Sequence, residues 1–232
     1  MKKHLFKQVS IIGMGLIGSS LALSIKKNKL AGETIGYAKS LSTRKKAKKL
    51  KLVDTVSDSL SKCVQGSDLI LICTPLSTYS KIIKNIRPHI KKDSIISDVG
   101  SAKEKSIKQM ESLLGTGIEF IPAHPIAGTE HQGFHSANEK IFENSIVLIS
   151  PKNESNSSMH NVVKSFWQDN IGSSIRILDD AMHDISLSMT SHFPHLLSFI
   201  LSKIVTDNYD KSSFIMTNSL KDMIRIANSD PK

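Results

Sequence analysis

The 232-residue chain has two cysteines, one tryptophan and an aromatic share of only 5%. Cys63 and Cys73 form neither a disulfide framework nor a metal-ligand spacing, and they suit a reducing compartment. No apolar run reaches the roughly 20 residues needed to cross a bilayer, and nothing ahead of the first strand-like segment reads as a signal peptide. No membrane association and a cytoplasmic location are therefore expected. Internal repeats and low-complexity tracts are missing too. Acidic residues are outnumbered, 21 against 31 Lys and Arg, for a net charge of +10. The excess lies at Lys26, Lys27 and Lys29, from Lys39 to Lys51, and from Lys81 to Lys108. These lysines fall mainly on helix-like segments whose other positions look core-facing, which describes a solvated basic face. Without interleaved aromatics or a nucleic-acid motif, nucleic acid is not an expected partner. The charge does favour an anionic substrate and an anionic cofactor.

What is present is concentrated near the start. Val9 to Ile12 reads as a short buried strand, and Gly13-Met14-Gly15-Leu16-Ile17-Gly18 then carries the G-x-G-x-x-G spacing into a helix. Gly13 permits a tight turn, Gly15 lets backbone approach a pyrophosphate, and Gly18 lets the helix pack closely on the strand. A diphosphate would sit over the helix N-terminus, where unpaired N–H groups and the helix dipole favour an anion. The motif alone is weak; following a strand and opening a helix makes it a dinucleotide site.

The rest of the first 178 residues alternates strand and helix. Strands are predicted at 34–38, 69–74, 94–99, 118–122, 145–150 and 174–178, with Thr74 closing the second of these. Helices are predicted at 41–52, 77–86, 101–114 and 162–170, and 151–158 reads as a polar turn. This pattern implies an α/β, doubly wound Rossmann-type sheet, mainly parallel, with ligands at the carboxyl ends of its strands. From residue 179 no strand pattern remains. Helix is predicted over 180–208, capped by Asp179 or Asp180 and kinked at Pro194, and again over 211–227. The expected organisation is a dinucleotide-binding domain, 1–178, followed by an all-helical domain, 179–232.

A dinucleotide-binding second strand usually ends in an acidic residue for the ribose hydroxyls of NAD. About twenty residues beyond Gly18 stands Ala38 instead. Lys39, Ser40 and Arg44 could receive a 2′-phosphate, which tilts the cofactor expectation from NAD towards NADP, or they are simply surface residues of a basic loop.

Further motifs follow in order: Asp98-Val99-Gly100-Ser101-Ala102-Lys103; Pro122-Ala123-His124-Pro125-Ile126-Ala127-Gly128-Thr129-Glu130-His131; Ser191-His192-Phe193-Pro194-His195; and Lys221-Asp222-Met223-Ile224-Arg225. With the glycine motif, these resemble the prephenate and arogenate dehydrogenase family of tyrosine biosynthesis, over nearly the whole chain. The resemblance implies a dinucleotide-binding domain, and a helical domain that dimerises and completes the active site. The activity it implies is oxidative decarboxylation of prephenate or arogenate with NAD or NADP. A neutral imidazole is suited to take the ring-hydroxyl proton. By resemblance His124 is that base, and Ser101 hydrogen-bonds the reacting hydroxyl. Arg225 pairs with a substrate carboxylate, for which its planar fork is shaped, and His195 and Glu130 line the pocket.

Each residue has a plainer competitor. Ser101 and Glu104 match a capping box. Arg225 could pair with Asp222 on its own helix. His192 and His195 could ligate a metal with His124, but no carboxylate or cysteine set completes such a site, and no metal is expected. The chain also departs from the family pattern, with Ser219-Leu220 where a glycine–phenylalanine pair is usual. It reaches Lys232 where family members continue through further helices, so the helical domain is expected to be incomplete. Two other functions fit the architecture: another NADP-linked hydroxyacid oxidoreductase, and a cofactor-binding module without turnover.

Overall fold

In the computed structural model, residues 4–127, 134–150, 158–208 and 215–228 are described. Glu130 and most of the polar turn at 151–158 lie outside them, as do residues 211–214 of the last predicted helix. The elements run β1 (Phe6–Ile12), α1 (Leu16–Lys27), β2 (Ala31–Tyr37), α2 (Leu41–Lys49), β3 (Thr55–Ser57), α3 (Leu60–Val64), β4 (Leu69–Ile72), α4 (Tyr79–Ile86), β5 (Ile95–Asp98) and α5 (Glu104–Leu114). They continue with β6 (Glu119–Ile126), β7 (Ile146–Ile149), α6 (Ser158–Ser165), β8 (Ser174–Ile177), α7 (Asp180–Leu187), α8 (Phe193–Asp207) and α9 (Asn218–Ile224).

The strands form one sheet in the order β3-β2-β1-β4-β5-β6-β7-β8. The first six are parallel neighbours in the doubly wound arrangement. The chain then turns back: β7 is antiparallel to β6, and β8 is parallel to β7. Strand order reverses between β1 and β4, so a crevice opens there at the carboxyl edge.

Period-two alternation assigns the strand side chains to two cores. Val9, Ile11, Leu69 and Leu71 pack on one face with Leu21, Ala22 and Ile25 of α1. Ile12, Ile70, Ile72 and Ile96 pack on the other with Tyr79 and Ile83 of α4 and Ile107 and Met110 of α5. Burial of each such side chain contributes about 1.5–3 kcal/mol. Burial on both faces explains why β4 reads as an unbroken apolar run.

The structure moves several predicted boundaries. β2 begins at Ala31 rather than 34, drawn back by pairing with Phe6 of β1. β3 went unpredicted because it has three residues and pairs only with β2. The helix placed at 162–170 begins at Ser158 and widens into a π turn over Phe166–Ile171, with consecutive Phe166 and Trp167 both buried. α5 does not open at Ser101: it starts at Glu104, and Ser101 is exposed ahead of it, so the capping box does not form. The helix predicted over 180–208 runs without interruption from Asp180 to Asp207, and it widens into a π turn, Ser188–His192, just before Pro194. Proline has no N–H for the carbonyl four residues back, and the π turn ahead of Pro194 is where the helix accommodates that loss. The last helix is short, Asn218–Ile224, and tightens into a 3-10 turn, Arg225–Asn228. No helix among the described residues is long and apolar enough to cross a membrane.

Candidate active site

The glycine segment has the geometry its spacing implies. Gly13 has φ 105°, and a Cβ there would stand 2.5 Å from the Cys73 carbonyl oxygen, in the β1–β4 crevice. A Cβ on Gly18 would come within 1.9 Å of the Gly13 carbonyl oxygen. Around Gly15, by contrast, nothing lies within 4 Å of an added Cβ. Gly15 is the N-cap of α1, whose first turn has no acidic residue and no side-chain cap. The first N–H groups of α1 thus have no side-chain partner, the space beside Gly15 is open, and Leu16 and Ile17 are half-buried. That donor set and that space fit the diphosphate of a dinucleotide. Further along α1, the buried Ser20 hydroxyl accepts the Asn138 N–H at 3.0 Å.

Beyond β2, Ala38 is buried and no carboxylate replaces it. Arg44 donates Nη1 to the carbonyls of Ala38 (2.7 Å) and Lys39 (3.0 Å), which places its guanidinium over the end of β2. Ser40 caps α2, and Lys39 is exposed beside it. Thr74 follows β4, and its hydroxyl accepts from Thr78 at 2.8 Å.

At the ends of β5 and β6 the chain builds a buried polar knot. The Asp98 carboxylate accepts from the Tyr79 hydroxyl (2.9 Å), the Gly100 N–H (3.0 Å), the Ala123 N–H (3.2 Å) and the Lys103 ammonium (2.7 and 2.8 Å). Lys103 also donates to the Ala123 carbonyl at 2.8 Å. This knot clamps the loop carrying Ser101 onto the strand carrying His124. Burial pulls the Lys103 pKa below that of a free lysine, against the pull of Asp98. Nothing local to the Asp98–Lys103 segment marks either residue for this task, because the partners Tyr79 and Ala123 come from other elements.

His124 lies beyond Pro122, the last β6 residue paired with β5, and opposite Leu148 of β7. Only 9% exposed, it directs Nδ1 to His183 Nε2 at 2.9 Å. His183 Nδ1 meets Asp184 Oδ1 at 2.8 Å. The same carboxylate accepts the backbone N–H groups of Lys103 (2.7 Å) and Glu104 (3.0 Å), so the first turn of α5 is capped by a residue of α7. Burial, and after it the charge of Lys103, holds the His124 pKa down at about 3. Burial also lowers that of His183. For Asp184 burial works upward, but the Lys103 N–H and the His183 ring outweigh it, and the net shift is down. The site thus holds two neutral imidazoles and an ionised carboxylate.

Of the other predicted residues, His195 is half-buried on α8 and donates Nδ1–H to the Ser191 carbonyl at 2.8 Å. Arg225 is exposed just after α9, which is tied to α8 by a Ser198 hydroxyl bond to the Met223 carbonyl. No group of three or more potential metal ligands occurs among the described residues. His183 and Asp184 went unassigned from sequence. Their partners lie 59 and 81 positions away, and no local motif marks them.

A doubly wound sheet with an open glycine loop at its switch point and a buried neutral histidine at the same edge defines a dinucleotide-dependent dehydrogenase. The chain matches the family model for the nucleotide-binding domain of prephenate dehydrogenase over residues 21–176, and that for its dimerization domain over 179–232. It is 34% identical to cyclohexadienyl dehydrogenase of Zymomonas mobilis, an alignment covering 98% of this chain and 78% of that one. It is 32% identical to prephenate dehydrogenase of Lactococcus lactis, covering 97% of this chain but only 62% of the relative. Among solved structures, prephenate dehydrogenase from A. aeolicus in complex with hydroxyphenyl propionate and NAD+ superposes with a TM-score of 0.88 at 26% identity, over 100% of this chain and 80% of that one. The chain belongs to the prephenate dehydrogenase family.

Proposed function

We propose that the chain oxidatively decarboxylates prephenate or arogenate, using NAD(P) and in preference NADP. The observation that carries this reading is His124, neutral and anchored at the sheet edge that also holds the glycine loop. Gly13, Gly15, Leu16, Ile17, Gly18 and Thr74 would hold the dinucleotide, which when bound supplies the hydride acceptor. His124 Nε2 takes the proton of the ring hydroxyl, and Ser101 hydrogen-bonds that hydroxyl. With hydride lost from the hydroxyl-bearing carbon and carbon dioxide from the opposite one, the ring becomes aromatic. Arg225 pairs with a substrate carboxylate, and His195 contributes to the substrate pocket. Lys39, Ser40 and Arg44 take the 2′-phosphate of NADP; the absence of a carboxylate at Ala38 supports this, because a second negative charge there would repel it.

The organisation we propose is a nucleotide-binding domain to residue 178 and a helical domain from 179. A homodimer through the latter is supported by an exposed apolar stripe at helical spacing, Ile185, Met189, Phe193, Leu196, Ile200 and Ile204. Both cysteines are free thiols, in keeping with a cytoplasmic setting. The test is the absorbance of reduced nicotinamide with prephenate and arogenate, each against NAD and NADP. Turnover in any pairing supports the reading and names substrate and cofactor. Binding of cofactor with silence in all four overturns it.

A further inference from the structure

We propose that His183 and Asp184 are positioning residues that fix the tautomer of His124 and so present its Nε2 as the base. The proposal rests on the reading of His124 above, and it follows from donor and acceptor counting along one chain of contacts. The ionised Asp184 carboxylate can only accept, so His183 Nδ1 carries the proton in their 2.8 Å contact. A neutral His183 then has a bare Nε2, which can only accept from His124 Nδ1 at 2.9 Å. His124 Nδ1 is therefore the protonated nitrogen, and its lone pair lies on Nε2. With the opposite tautomer, His124 Nδ1 and His183 Nε2 would face each other as two lone pairs inside the protein. When Nε2 gains a proton, the imidazolium is held by the His183 ring, with the Asp184 charge behind it.

Asp184 is itself fixed from outside the dyad. The Lys103 and Glu104 N–H groups occupy one lone pair on each of its oxygens, so the carboxylate cannot swing away without uncapping α5. The orientation of the base is thus set by the docking of α7 on α5, and not by the nucleotide-binding sheet alone.

The experiment uses the 232-residue chain with ¹⁵N-labelled histidine. Long-range ¹H–¹⁵N correlation reads which ring nitrogen is protonated, and the His124→Asn variant assigns the signals. The expected wild-type spectrum shows His124 protonated at Nδ1. His183→Phe keeps the ring and removes both contacts. It should give a mixture of His124 tautomers and lower kcat about 10²-fold, with KM and cofactor Kd unchanged. His183→Gln offers an amide oxygen near the former Nε2 position and should recover most of the loss in kcat. A wild-type His124 protonated at Nε2 overturns the proposal without any variant needing to fold. So does a folded, cofactor-binding His183→Phe with unchanged kcat. Failure of the base assignment itself reads differently: His124→Asn would then turn over normally, while the tautomer pattern stands.

Discussion

Lys103 and Asp98 form an ion pair sealed in the protein, their side chains 2% and 0% exposed and Nζ 2.7 Å from the nearer carboxylate oxygen. It joins the end of β5 to the start of α5, and through the Ala123 carbonyl to β6. Removing one partner strands a buried charge, which costs far more than losing a surface pair. Lys103→Met should therefore destabilise the chain by about 3–5 kcal/mol. Urea unfolding measures it, and a change below about 1 kcal/mol, the range of an exposed pair, would contradict the burial argument.

Gly15 and Gly18 separate cofactor contact from folding. Gly15→Ala meets no protein atom within 4 Å, so the melting temperature should hold while dinucleotide affinity falls at least tenfold. Gly18→Ala drives a methyl against the Gly13 carbonyl, 1.9 Å from an ideal Cβ, and should lower stability and affinity together. Thermal melts beside fluorescence titrations check both; equal losses of stability in the two variants would contradict the geometry.

Cofactor preference should turn on the end of β2. Arg44→Ala is expected to weaken NADP about tenfold, the size of one charge-assisted hydrogen bond, with NAD nearly unaffected. Ala38→Asp should reverse the preference, by accepting the ribose hydroxyls and repelling the 2′-phosphate. Dissociation constants for both cofactors decide it, and parallel changes for NAD and NADP would rule these residues out as the discriminator.

His124 makes stability fall on acidification. Its folded pKa of about 3 lies below the ordinary value of 6.5, so between these the unfolded chain binds a proton that the folded chain does not. Unfolding is then favoured as pH drops through that window, at up to about 1.4 kcal/mol per pH unit for one proton. His183 shifts the same way and steepens the slope. His124→Gln should flatten it, as unfolding free energies from pH 7 to 4 would show; an unchanged slope would place the titration elsewhere. The neutral base also predicts kcat/KM constant through pH 6.5 on its acid side.

Turnover should depend on His124 and Arg225 in different ways. His124→Asn is expected to keep cofactor binding while kcat falls by about 10²–10⁴. Arg225→Ala should raise KM with a smaller effect on kcat, since a carboxylate contact is made in ground and transition states alike. Normal turnover in the first, or an unaltered KM in the second, would sink the corresponding role.

What could be read from sequence was what the chain encodes locally. The strand, the glycine turn and the opening of α1 lie within one short segment, and the apolar run of β4 declares a sheet buried on both faces. β3 could not be seen, because Thr55–Ser57 is three residues long and is defined as a strand by its pairing with β2. Ser101 and Glu104 matched a local cap, yet the donors at the start of α5 are taken by Asp184, 80 positions from Glu104. His183 failed to register for the same reason. Its neighbours in sequence are ordinary helix residues, and its task exists only once α7 lies against the sheet edge.

The cap that Asp184 places on α5 means that this chain carries its own report on whether the base is armed. The Lys103 and Glu104 amides are shielded by the same carboxylate that steadies His183, so their hydrogen exchange counts the openings that would release His124. Without that cap the two amides would lie open and the histidine would lose its anchor, leaving the glycine loop as a receptor for a cofactor with its chemistry disarmed.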